Sequence, residues 1–251
     1  MIPMTENSLV NFHCRFRPAS GLEGCRGFTL LEMSIVLLIM GVLLGSVLKP
    51  IGAGIVDRQR KQTLQQLIDI RDALLGYASV HHRLPCPISI GNNGAGSTQL
   101  PADQCSLAHG FVPAATLGIS GRYNDDGLLT DSWGSPIQYH ITLSDADNDG
   151  LADFTTAQEM RDVGMQNLSP EYEVCDSSSC TQLRANRVPV VLVSTGKNQT
   201  GSADEAENQN SDNRFVSRDI DAVGADQFDD LVIWLSGNIL LTRLLQAQVL
   251  P

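Results

Sequence analysis

Aromatic side chains are scarce in this sequence, only 5% of its 251 residues, and basic residues are few, 17 Lys and Arg against 28 Asp and Glu. The resulting formal net charge of −11 argues against nucleic acid or an anionic lipid surface as ligand, and no nucleic-acid partner is expected. The vocabulary of catalysis is missing too. No G-x-S-x-G or H-E-x-x-H motif occurs, no Gly-rich phosphate loop follows a strand, and the histidines are scattered. Ser106 with His109 is a local polar grouping without an evident triad, so no enzymatic role is expected. Cysteine pairs at the C-x₂-C spacing of zinc knuckles are absent as well.

Charge itself is nearly absent from one stretch. Phe28–Leu48 carries a single ionisable side chain, Glu32. Helical residues rise about 1.5 Å each, so a run of this length reaches across a bilayer's hydrocarbon core. The hydrophobic part of a secretory signal is shorter and lacks acids. A carboxylate inside a membrane costs several kcal/mol unless it meets a partner, which makes Glu32 a functional residue by expectation. Basic residues flank both ends of the run, Arg15, Arg17 and Arg26 before it and Lys49, Arg58, Arg60 and Lys61 after it, so charge counting leaves the orientation undecided.

Gly27-Phe28-Thr29-Leu30-Leu31-Glu32, followed by this apolar helix, resembles the signal of type IV pilins and type II secretion pseudopilins. The resemblance implies that a prepilin peptidase cuts between Gly27 and Phe28 on the cytoplasmic side and methylates the new terminus. Residues 1–27 are then a leader, and the large domain lies outside the inner membrane as a single-pass protein, later part of a filament. Glu32 matches the family's acid. It would pair with the α-amine of a neighbouring subunit's Phe28, an ion pair that sets register in a helical stack. Pro50, with Gly52 and Gly54, predicts a kink or local melting at 46–54. Gly41 and Gly45 form a small-xxx-small pattern that allows close helix approach.

Beyond the membrane run, Leu64, Leu67, Ile68, Leu75 and Ala78 follow a helical period, widened by Ile70, Leu74 and Tyr77. This amphipathic half, 55–82, completes a helical region 28–83. Leu84-Pro85-Cys86-Pro87 ends it and opens a head domain, 84–251. Cys14 and Cys25 leave with the leader. Cys86, Cys105, Cys175 and Cys180 remain, an even number suited to an oxidising compartment, and of three possible pairings the local ones, Cys86–Cys105 and Cys175–Cys180, are favoured. Leu-Pro-Cys-Pro with a later Val112-Pro113-x-x-Thr116-Leu117-Gly118 is similar to a pilin-like subgroup with such a tied loop.

Asp131-Ser132-Trp133-Gly134-Ser135-Pro136-Ile137-Gln138-Tyr139 resembles the turn-and-strand signature of the major pseudopilin. Ile137, Tyr139, Ile141 and Leu143 alternate as one buried face, with His140 turned to solvent on the other. Val188–Val193 reads as a central strand, Asp229–Trp234 as another, and 239–250 as a short amphipathic helix. The expected fold is α+β and pilin-like: one long kinked N-terminal helix packed on an antiparallel sheet of about four strands.

Two acidic segments suggest calcium. Asp145-Ala146-Asp147-Asn148-Asp149-Gly150 resembles the first half of an EF-hand loop, with Asp145, Asp147 and Asp149 as candidate ligands and Asp153 at the ninth position. Thr156 stands where a bidentate Glu is expected at the twelfth, and Glu159 lies too late to replace it without rearrangement. The loop from Gln199 to Phe228, ahead of Asp229-Asp230, is similar to the calcium-binding region of major pseudopilins, although Gly196-Lys197-Asn198 departs from the family's pattern. The resemblance implies a structural subunit of a secretion pseudopilus or type IV pilus, with the prepilin peptidase, other pilin or pseudopilin subunits and the inner membrane as partners. A calcium-dependent adhesin tip on the same anchor is the alternative.

Overall fold

The structure is a computed structural model that describes residues 28–90, 98–99, 104–199, 201–220 and 227–248, with the side chains of 45–53, 98, 99 and 104 outside the description. Gly27, Cys14, Cys25 and most of the segment between Cys86 and Cys105 therefore lie outside it. The chain divides into two compact units, 1–51 and 52–251.

Helix α1, Leu30–His81, begins where Thr29 accepts the Glu32 amide on its hydroxyl at 3.2 Å, satisfying one of the donors left free at a helix start. From Leu30 to Leu44 every residue is exposed, including Leu30 at 93% and Leu44 at 68%. Among the described residues no helix is long and apolar enough to cross a membrane. The expected span 28–48 runs on into 45–48, whose side chains lie outside the description. The backbone stays helical through Pro50, so the expected local melting is not found.

In the second unit, α1 buries Thr63, Leu67, Ile70, Leu74 and Ala78, each at 0% exposure. These positions are three or four apart and form one stripe. The stripe is rotated from the expected one: Leu64 is 39% exposed, because Thr63 takes the inward position to bind the head's backbone. Each fully buried Leu or Ile here stabilises the packing by about 2 kcal/mol.

Short elements follow in order: β1 Thr98–Gln99, β2 Gln104–Cys105, β3 His109–Phe111, α2 Ala114–Leu117, β4 Arg122–Tyr123, β5 Leu129–Thr130, β6 Gln138–Ile141, α3 Glu159–Asp162, β7 Tyr172–Cys175, β8 Leu183–Val188, β9 Val190–Ser194, α4 Ala203–Glu207, β10 Arg214–Val216, β11 Leu231–Leu235 and α5 Gly237–Gln246. The main sheet has four strands, ordered β11-β9-β6-β3, and every pairing is antiparallel. An N-terminal helix on an antiparallel four-stranded sheet is the expected α+β, pilin-like architecture.

One face of this sheet carries Ile137, Tyr139, Ile141, Val190 and Leu192 into the same core as Leu67, Ile70, Leu74 and α5's Leu240 and Leu244. The other face is covered as well. A three-stranded sheet, β10-β7-β8, packs Tyr172, Val174 and Phe215 against Val191 and Val193. Burial on both sides is why β9 is a continuous apolar run rather than an alternating one. It also overturns the expectation for His140. That residue is 4% exposed, with its ring 4.8 Å from that of Phe215 and its Nδ1 2.8 Å from Nδ1 of His109. Burial, with His109 adding to it, lowers its pKa to about 3 and keeps the ring neutral.

Disulfides join Cys86 to Cys105 and Cys175 to Cys180, the second closing the turn between β7 and β8. The long acidic loop is not structureless: it contains α4 and β10.

Candidate functional site

The Asp-x-Trp-Gly turn is what ties the helix to the sheet. Asp131, 1% exposed, accepts the amides of Trp133 and Ser135 on one oxygen, at 2.8 and 2.9 Å, and the Ser194 hydroxyl on the other at 2.6 Å. Gly134 sits at φ +95°, a conformation costly for any residue with a Cβ. The turn's outward backbone groups are met by α1: the Ser132 amide donates to Thr63 Oγ1 at 3.1 Å, while Gln59 and Gln66 donate to the carbonyls of Ser132 and Thr130. The short motif thereby pairs the backbone groups of the turn and anchors three elements at once, while Trp133 Nε1 and Ser135 Oγ stay buried without a hydrogen-bond partner among the described residues.

Glu32 occupies the first turn of α1, exposed, and its carboxylate accepts no hydrogen bond among the described residues. Phe28 is 78% exposed. Gly27, the other half of the expected cleavage site, lies outside the described residues.

The first acidic cluster is the expected turn. Asp145 is held by its own loop, accepting the Gly150 amide at 2.9 Å and the Asp149 amide at 3.2 Å, with Asn148 and Gly150 both at positive φ. Asp153 is wholly buried and accepts the Ala146 amide at 3.3 Å and the Ser144 hydroxyl at 3.4 Å. The unexpected member is Glu159. Gln158, in the left-handed region at φ 73°, turns the chain so that Glu159 opens α3 and comes back to the turn. One oxygen each from Asp147, Asp149 and Glu159 lies within 4.8 Å of the others, and the same holds for Asp145, Asp147 and Asp153. Burial and the surrounding acids raise the pKa of both Asp153 and Glu159. Glu159, which lies too late in the sequence to take the twelfth position without rearrangement, is brought beside Asp147 and Asp149 by the left-handed step at Gln158, a turn that sequence spacing does not show.

A second cluster lies where the acidic loop meets β11. Glu205, Asp229 and Asp230 each place an oxygen within 4.8 Å of the other two. Glu205 is 0% exposed and Asp230 2%. The capping box of α4 fixes Glu205: its carboxylate accepts the Ser202 amide at 3.1 Å, and it also takes the Asp229 amide at 2.9 Å. Asn208 donates to Asp230 at 2.9 Å. Three acceptors in this pocket, Asn198 Oδ1, Asp229 Oδ1 and Asp230 Oδ1, are buried with no hydrogen-bond partner. Burial, opposed by the Asn208 hydrogen bond and reinforced by Glu205 and Asp229, pushes the pKa of Asp230 up to about 7. Gly196 and Gly201 line the cradle, and a Cβ at either would collide with the carboxylate of Asp229 or Glu205. Sequence reasoning pointed to this loop but not to Glu205; the Ser202-x-x-Glu205 capping signature was the available signal.

An N-terminal helix followed by an antiparallel four-stranded sheet, behind a Gly-Phe-Thr-Leu-Leu-Glu start, fits a pilin-like fold. Residues 24–48 match the family model described as the prokaryotic N-terminal methylation motif. The matched segment is the signature of the prepilin-type signals of type IV pilins and pseudopilins, a signal that implies processing by prepilin peptidase and assembly with other pilin subunits. No curated protein and no solved structure matches the chain.

Proposed function

We propose that the chain is a structural subunit, a pseudopilin or minor pilin, of a type II secretion pseudopilus or type IV pilus. It is held in the inner membrane through Phe28–Leu48, with 84–251 in the periplasm, until it is drawn into the filament. The prepilin signal at 24–48 carries this reading. Two features of α1 support it. Its apolar residues from Leu30 to Leu44 are exposed on all sides, a surface suited to lipid and then to neighbouring helices rather than to water. The Glu32 carboxylate has no partner among the described residues, so it is available for the amine that cleavage creates at Phe28 of the next subunit. Gly41, with open space around it, permits close approach of a second helix.

Co-expression with a prepilin peptidase is the test. The expected product lacks residues 1–27 and begins with N-methyl-Phe28; an intact leader under those conditions excludes the reading. Glu32→Ala should still insert and be cleaved, yet fail to enter filaments, and normal incorporation would count against the role given to Glu32.

The Glu205–Asp229–Asp230 pocket fits a hard divalent cation such as calcium, since its donors are all oxygen and three buried acceptors lack hydrogens. A bound cation there would neutralise charge that the fold otherwise has to protonate, fastening the acidic loop to β11.

A further inference from the structure

The turn at 145–150 has no part in that reading, and its geometry is independent of filament assembly. We propose that this turn, closed by Glu159, is a second divalent-cation site, with calcium as its ligand. Asp147 is the shared member, lying within reach of Asp145 and Asp153 on one side and of Asp149 and Glu159 on the other.

Glu159 is the residue that points to a ligand. It is 7% exposed, its carboxylate accepts no hydrogen bond among the described residues, and one oxygen of that carboxylate lies within 4.8 Å of oxygens of Asp147 and Asp149. The charges acting on it are those of Asp149, Asp147, Asp162 and Asp153, all of its own sign. A carboxylate on a largely buried side chain, with no donor and only like charges beside it, is disfavoured, and a cation bridging it to Asp147 and Asp149 removes the conflict. Asp145 and Asp153, by contrast, are already fixed by backbone amides, which preorganises one wall of the site.

Size and donor type select the ion. Oxygens within 4.8 Å of one another span no more than the diameter of a coordination sphere whose bonds are about 2.3–2.6 Å, the range of calcium. The donors are carboxylates alone, with neither nitrogen nor free thiolate, so zinc and copper are disfavoured. Glu159 takes the place of the bidentate Glu that an EF-hand loop carries at its twelfth position. The closing acid arrives from α3 three residues later, because Gln158 adopts the left-handed conformation.

Calorimetric titration of the full chain in detergent, stripped with chelator and then given calcium chloride, tests the assignment. The titration is run in an Asp230→Asn background so that the other pocket does not contribute. One calcium per chain is expected to bind this background, and adding Asp147→Asn or Glu159→Gln should remove it or weaken it by on the order of tenfold or more. Asp147 is exposed and accepts no hydrogen bond among the described residues, so its replacement keeps the fold, which an unchanged melting temperature in chelator will verify. Calcium binding of unaltered stoichiometry and affinity in the Asp147→Asn protein overturns the proposal, as does failure of the Asp230→Asn background to bind calcium at all. Neither result bears on cleavage at Gly27 or on the filament role, which are read by the peptidase assay.

Discussion

The two acidic clusters contain the same side chains and meet opposite physical conditions. At 145–159, Asp147 and Asp149 are exposed, and only the Asp153 and Glu159 side is buried. Water dilutes the repulsion there, and the loop stands without a ligand at modest cost. At the second cluster, Glu205 and Asp230 are sealed from solvent, and buried acceptors of Asp229 and Asp230 find no donor. Repulsion at that depth is relieved by a proton or by a cation. The same composition therefore gives a loop that a cation would fasten in one place and a pocket that requires neutralisation in the other.

Mutation should separate the two most strongly at Glu205. Its carboxylate holds the Ser202 and Asp229 amides, so Glu205→Ala leaves buried donors unpaired and should cost about 3–5 kcal/mol in urea unfolding of the full chain in detergent. A loss below roughly 1 kcal/mol would show that the pocket is not an organised unit.

The pH dependence of stability sharpens the contrast next. The folded-state pKa of Asp230, about 7, stands above the model-compound value of 3.8, so the folded chain holds a proton that the unfolded chain has released. Stability from this group is full below pH 4 and is lost as pH rises through 7, by up to about 4 kcal/mol in chelator. Calcium should flatten that slope, and Asp230→Asn should abolish it. His140 acts in the opposite sense. Its pKa is lowered from 6.5 to about 3, so the unfolded chain binds a proton that the folded chain refuses, and stability falls as pH drops below 6.5. Unfolding curves at fixed pH, with and without Asp230→Asn, distinguish the two.

Asp153→Ala should cost about 1–3 kcal/mol, since it frees the buried Ser144 hydroxyl and the part-buried Ala146 amide. The smallest effect is expected at Glu159→Ala. In chelator it should change stability by less than about 1 kcal/mol, or raise it slightly, because the Glu159 carboxylate accepts no hydrogen bond among the described residues and faces only like charge. A large loss in chelator would mean that the comparison between the clusters is wrong.

Much of the fold was readable because local patterns carry it. The period of Leu67, Ile70, Leu74 and Ala78 marks the helix, the alternation of Ile137, Tyr139 and Ile141 marks β6, and the unbroken apolar run at 190–193 marks the central strand. The errors share one cause. His140 was misread as solvated because alternation says which residues share a face, not whether a second sheet covers it. Leu64 was misplaced because Thr63 binds Ser132, a contact of high sequence separation that no periodicity contains. Glu159 and Glu205 joined their clusters through a left-handed residue and a capping box, single-residue events within loops.

By itself the sequence determined the processing signal, the apolar run with its one acid, the α+β class and the two places where acids accumulate. Each of these depends on neighbours along the chain, where spacing is geometry. Only the tertiary structure decided which carboxylates converge, which of them lose water and which keep it, and that Asp131 joins helix to sheet through Ser194. Those properties depend on what covers a residue from another part of the chain, and burial sets the electrostatics that one-dimensional spacing leaves open.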